Sequence, residues 1–315
     1  MELPITSIPP RHVLTTVDRV VIIGTDGGIA FLHPNRLIEI DAPKHPFSGE
    51  ISKVALLGEN FLAATWIERE IGIARMAVLD IREPLANGPD LISLREASDN
   101  NRLDSHQVEG AIWSHVLSAE PLAMCEHNGS LVFCTYNRGF YRVDINSIEI
   151  WRRKHITWSG VERIPDGDVI ADLISSNGSI WAFSLGGGWA EINADDGEII
   201  RKGVINFGAK LESVWNDSDE WIIGLSHQRI AKWNSETNDL EIECTNGPIK
   251  DAKKIDSEWV ITGWREDLIW TSTSLQAHPR PNIGIHIMDH SEHGLLVLDN
   301  CNQWSIFGHN NTEAA

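Results

Sequence analysis

The sequence predicts an all-β fold: a single seven-bladed β-propeller of four-stranded blades, closed by an N-terminal strand that completes the last blade. Three observations carry this expectation. Seven apolar segments of strand length recur along the 315 residues. Each has the same companion strands before and after it. The last copy is one strand short, while the first has one strand to spare.

The segments are RVVIIGT (19–25), FLAATW (61–66), LVFCTY (131–136), IWAFSL (180–185), WIIGLS (221–226), WVITGW (259–264) and LLVLDN (295–300). Continuous apolar runs rich in β-branched and aromatic residues suit strands covered on both faces. Their last residues are spaced by 41, 70, 49, 41, 38 and 36 positions. A blade of four strands takes roughly 40–50 residues, so the 70-residue interval holds an insertion.

A first strand precedes each segment, as in PLAMCEH (121–127), VIADLIS (169–175) and LESVWND (211–217). Asn128-Gly129 and Asn177-Gly178 join two of these pairs; both central residues of a type I′ hairpin turn need positive φ, which Asn and Gly tolerate. Third strands follow at 28–33, 140–145, 189–194, 229–235 and 303–308, and fourth strands at 148–156, 198–205 and 239–245. The spare strand LPITSIP (3–9) is then expected to pair near 303–308 and close the ring; closure removes the unpaired edge. The propeller is expected to span 1–309, with an inserted loop at about 93–116 joining blades two and three, and a polar tail at 310–315.

RIAKWNSETNDLEIE (229–243) resembles the third-to-fourth-strand passage of a WD-repeat blade, with Trp233-Asn234 in place of Trp-Asp. FYRVDINSIEIW (140–151) and WAEINADDGEI (189–199) resemble quinoprotein-type repeats, with Asp144, Asn193 and Asn234 ending the third strand and Trp151 on the fourth. The resemblance to this propeller superfamily implies the architecture and transfers no activity. Quinoprotein dehydrogenases carry an adjacent Cys pair; here Cys125, Cys134, Cys244 and Cys301 are scattered.

With 26 Lys+Arg against 45 Asp+Glu the net charge is −19, which disfavours a nucleic-acid surface. No apolar run reaches the roughly 18–20 residues of a membrane helix. The N-terminus lacks a basic stretch followed by an apolar one, so no secretory signal is expected and the cytoplasm is the expected compartment. GxxxxGK[ST], HExxH, GxSxG and CxxC are absent. Gly186-Gly187-Gly188 reads as a hairpin, and Asn193–Glu198 as a capped turn. His286 falls on a first strand (283–289) with His290 and His293 in the turn after it, a hydrated His-rich turn rather than a metal site. No cofactor or metal is expected.

Strand order sorts the turns onto two faces. Asp217, Asp256 and Asp289 belong to an acidic face whose few cations are mainly Arg19, Arg36 and Arg82. On the other, Arg69, Arg138, Arg229 and Arg265 recur just beyond second strands, with Arg11, Lys44, Arg163 and Arg280 near blade-to-blade linkers. These arginines either neutralise neighbours such as Glu68 and Asp267 or converge on an acidic group. Trp181, Trp221 and Trp259 are expected in the core. Trp66, Trp189 and Trp264 border loops, and Trp113 lies in the insertion, where aromatics anchor partners. The expected function is a non-enzymatic protein-protein scaffold, acting as a monomer or within a larger complex. The alternative is a ligand-binding or hydrolase/lyase-type enzyme with its site at the channel mouth.

Overall fold

The structure, a computed structural model, describes residues 3–100, 102 and 107–308. These residues form seven antiparallel sheets in chain order, the blades of one propeller. The seven apolar segments are the second strands: Val20–Gly24, Phe61–Glu68, Ser130–Thr135, Ser179–Ser184, Glu220–Leu225, Glu258–Gly263 and Gly294–Asp299. Every residue of Val20–Gly24, Ser130–Thr135 and Ser179–Ser184 is buried. Neighbouring blades cover both faces of these strands, which is why their sequence does not alternate.

The first strands stand side by side around the central axis: Pro10–Thr15, Glu50–Leu57, Pro121–His127, Ile170–Ser176, Leu211–Asp217, Ile249–Ile255 and Gly284–His290. Asn128 and Gly129 have φ of 47° and 75°, and Asn177 and Gly178 of 50° and 78°, as a type I′ turn requires. Gly187, in the triple-glycine hairpin, has φ of 86°, and a Cβ there would lie 2.2 Å from the Ile205 carbonyl oxygen. At the third-to-fourth turns, Asp144 Oδ1 accepts from the Ile148 N–H at 2.8 Å, and Asn234 Oδ1 from the Thr237 N–H at 2.9 Å. The residues behind the repeat resemblance are therefore turn-formers. Trp151 Nε1 and Arg142 Nη1 both donate to the Ala194 carbonyl, at 2.7 and 2.6 Å, latching blade 3 to blade 4.

Blades 2 to 6 have four continuous strands, whereas blades 1 and 7 have three. Single bridges complete the outer two: Ile29 with Lys44 and Leu32 with Glu39 in blade 1, and Ile5 with Gln303 in blade 7. The closing contact is thus shorter than a full strand. It consists of that bridge and the Thr6 N–H donating to the Asn302 carbonyl at 3.0 Å. Ile8 and Leu3 add apolar packing against a cluster that includes Met288, Leu298 and Trp304.

The insertion is placed differently from the expectation. It lies between the third and fourth strands of blade 2, not between blades 2 and 3. It includes a helix, Leu91–Asp99, capped by Asp90, whose side chain accepts from the Ser93 N–H. The apolar end of the expected loop is the blade's own fourth strand, Ala111–Leu117, paired with Ile73–Asp80. Residues 101 and 103–106 of the insertion and the tail 310–315 lie outside the described residues.

Deleting residues 1–9 removes the bridge and the buried Ile8, so the chain is expected to lose about 3–5 kcal/mol of stability. Thermal unfolding of the truncated chain checks this; an unchanged midpoint contradicts the closure.

Candidate functional site at one mouth of the channel

Every first strand carries a β-bulge at the same point, where it enters its blade. The register shifts between Pro10 and His12, Ile51 and Lys53, Pro121 and Ala123, Ile170 and Asp172, Leu211 and Ser213, Ile249 and Asp251, and Gly284 and His286. A bulge leaves one residue unpaired and re-aims its side chain. The seven extra residues are Arg11, Ser52, Leu122, Ala171, Glu212, Lys250 and Ile285, and none is buried. They give one mouth of the channel a varied rim: cationic, anionic and apolar in different blades.

The residue after each bulge forms a second, deeper ring, polar except at Ala123. Its two carboxylates hold blades together. Asp172 accepts from its neighbour Leu173 N–H at 3.0 Å and from Val214 N–H of the next blade at 3.3 Å. Asp251 does the same with Ala252 and Ile287, at 2.9 and 2.8 Å, and pairs with His286 Nδ1 at 2.8 Å. Burial pushes the Asp172 carboxyl above its ordinary value despite Lys53 and these N–H groups. Burial also acts to raise Asp251, but His286 and the hydrogen bonds outweigh it and hold that carboxyl below the usual range.

Positive charge gathers at the blade 1–blade 2 side of this mouth. Burial, then Arg11 and Lys53, push the His12 imidazole down to about 4, so it is neutral at pH 7. Its Nε2 is enclosed and has no hydrogen-bond partner. Burial and the charge of Arg69 lower the Arg11 guanidinium from its usual value. Arg11 pairs with Glu50, and Arg69 Nη2 with Glu120 at 3.3 Å. Lys53 acts electrostatically on both His12 and Asp172.

The antiparallel order puts Arg69, Arg138 and Arg229 at this end of their blades and Asp217, Asp256 and Asp289 at the other. Of the four recurring arginines, Arg69 lies beside Arg11. Arg229 Nη1 donates to the Phe207 carbonyl and Arg265 Nε to that of Pro281, both at 3.1 Å. Both thereby fasten a blade-to-blade linker. Arg138 is exposed. Arg280 is buried against Asp267 at 2.8 Å.

The tryptophans divide. Trp264 is 45% exposed in the same turn as Arg265. Trp189 is half-buried, stacked on Trp181 at 5.7 Å with Arg201 over its ring. Trp113 is on the outer strand of blade 2, its Nε1 donating to the Ile145 carbonyl at 2.9 Å, away from the channel. Trp66 corrects the expectation of an exposed anchor. It is fully buried among Ile51, Ile73 and Phe47, because it is the sixth residue of an eight-residue strand and does not end it. Trp181, Trp221 and Trp259 are buried. In the sequence Arg11 stands out only as a linker cation, and nothing marks His12 or Lys53. Aligning the seven first strands position by position is the signal that would have found them.

Among the described residues, no group of three His, Cys, Asp or Glu side chains is placed to hold a metal ion. His290 and His293 stack at 4.8 Å, while His286 belongs to the Asp251 pair.

Because His12 titrates near 4 when folded and near 6.5 when unfolded, the unfolded chain binds the extra proton between those values. The His12 contribution is therefore full above pH 6.5 and is lost as the pH falls toward 4, about 3 kcal/mol in all. Denaturant unfolding of wild type and His12→Leu across this window checks it. The stability difference should shift by roughly that amount; a pH-independent difference contradicts the neutral buried imidazole.

No family model and no curated protein matches the chain. Solved structures do. The WD40 β-propeller domain of Doa1 superposes with a TM-score of 0.65 at 12% identity, covering 99% of this chain and 96% of that one. The β-propeller domain of Cps50 (Swd1) from Myceliophteria thermophila gives 0.62 at 12% identity, covering 94% and 95%. BamB from Moraxella catarrhalis gives 0.59 at 9% identity, covering 98% of each chain. These likenesses show a shared propeller fold, with both WD40 and BamB propellers among the similar structures.

Proposed function

We propose that the chain is a protein-interaction scaffold that receives an acidic segment of a partner protein at the bulged mouth of its channel. The observation that carries this reading is the gathering of Arg11, Lys53 and Arg69 beside a neutral His12, in a chain of net charge −19. Arg11 and Arg69 each have a carboxylate partner, Glu50 and Glu120, yet Arg69 still acts on Arg11 as a like charge. Among the described residues the Lys53 ammonium has no ion-pair partner, so a further anion is favourable here. The ring supports the reading mechanically, because packed strands hold the loops at one end of the blades in fixed positions. Arg138, Arg229, Arg265 and Trp264 form the outer part of the same surface. A carboxylate excluded from water there gains about 1.5–3 kcal/mol per charge-assisted hydrogen bond, against about 0–1 kcal/mol for an exposed pair. Trp113, on an outer strand, and Trp189, stacked on Trp181, serve packing.

The cytoplasm is the proposed compartment. All four cysteines are unpaired, and Cys244 and Cys301 are exposed, which suits a reducing environment. Burial pushes the Cys134 thiol up to about 12, so it is an inert core residue. No helix among the described residues is long and apolar enough to cross a membrane.

Selection from a random-peptide display library against the immobilised protein tests the reading. The selected peptides should be rich in Asp and Glu and bind more weakly as salt rises. Arg11→Ala, Lys53→Ala and Arg69→Ala together should weaken binding by tenfold or more. Peptides that hold their affinity on the triple variant place the surface elsewhere.

A further inference from the structure

A cavity of about 500 Å³ lies on the flank of the ring between blades 1 and 2, away from the channel mouth. It exists because blade 1 lacks a regular fourth strand. The chain returns along Ile29–Leu32 but bonds to it only at intervals: the Ile40 N–H donates to the Phe31 carbonyl at 2.8 Å, and Lys44 exchanges both backbone bonds with Ile29 at 2.8 and 2.9 Å. Between these contacts, residues 41–43 stand away from the sheet. The start of the blade 2 insertion forms the other wall, fixed by the Gly88 N–H donating to the His45 carbonyl at 2.8 Å. Both walls are departures from the four-stranded repeat.

Two of the few cations of the otherwise acidic face meet here. The Arg19 guanidinium lies over the Phe31 ring at 5.3 Å, with Nη1 on the Ile81 carbonyl. Arg82 is held in a fork by Asp80, at 2.9 and 2.6 Å, so its charge is already answered. Lys44 lines the same space, and among the described residues its ammonium has no hydrogen-bond or ion-pair partner. Asp41 and Glu83 also line the cavity but are exposed at its edge. Leu85 and the half-exposed Ile40 supply apolar surface.

We infer that this cavity binds a small molecule with a flat apolar body and one oxyanion, a carboxylate or a phosphate. The oxyanion is received by Lys44 and by the donors of Arg19 that Ile81 leaves free. The flat body lies against the guanidinium platform and the side chains of Ile40 and Leu85. The volume is in the range of small-molecule sites, roughly 300–1,000 Å³, and an arginine stacked on a ring presents a planar face suited to a planar ligand. This site is independent of the proposed partner surface.

Fluorescence titration with 1-naphthyl phosphate and 1-naphthoate, with inorganic phosphate as the competitor lacking the flat body, tests the inference. At least one naphthyl probe should bind with one-to-one stoichiometry, and the tighter of the two identifies the preferred oxyanion. Lys44→Gln should weaken binding fivefold or more. Ile40→Trp, at a half-exposed position that tolerates a larger side chain, should fill the cavity and abolish it. Inorganic phosphate should compete at least tenfold less well than either naphthyl probe that binds. Failure of both probes to bind, or affinity unchanged in Lys44→Gln and Ile40→Trp, overturns the site.

Discussion

Each blade of this molecule has a second strand that is apolar on both faces, so no blade can be buried until its two neighbours are in place. Closure of the ring is therefore the constraint on which the rest depends. The chain meets it with contacts that cross between blades. Trp151 and Arg142 meet on one carbonyl, that of Ala194. Asp172 and Asp251 reach the N–H groups of the blades that follow them. The final seam is short: one bridge between Ile5 and Gln303 and the Thr6–Asn302 hydrogen bond, backed by Ile8 and Leu3. The apolar cluster around Trp304 gives this seam its strength, since a single bridge contributes little by itself.

Closure also fixes where side chains point. Seven bulges at equivalent positions turn seven chemically different residues toward one mouth, and the packed blades hold them there. The same strands half-bury His12 and Asp172, whose ionised forms desolvation disfavours. A neutral imidazole beside Arg11 and Lys53 limits the positive charge that the mouth must hold when unoccupied. The opposite ends of the blades, with Asp217, Asp256 and Asp289, carry a different electrostatic character on the same rigid frame.

The second strands were legible because a strand covered on both faces needs no alternation, and continuous apolar runs are conspicuous. The Asn-Gly hairpins were legible because positive φ restricts the residues that can form them. The fourth strand of blade 2 was not legible as a strand of that blade. AIWSHVL mixes Trp113 with Ser114 and His115, as an exposed outer strand does, and it follows a polar segment with a helix inside it. The apolar run FLAATW stops at Trp66, yet the strand itself continues to Glu68. The deeper ring at the mouth was hidden for another reason. A bulge adds one residue without a compositional mark, so His12, Lys53 and Asp251 fall into common register only when the pairing is seen.

The central claim is that the bulged mouth at blades 1 and 2 is the recognition surface. Hydrogen–deuterium exchange of the protein with and without a bound acidic peptide measures this most directly. The account predicts slower exchange in residues 10–15, 50–54 and 68–72, with the outer strands Glu149–Arg153 and Ile199–Val204 unchanged. Protection confined to those outer strands, with the three mouth segments unaffected, would contradict it.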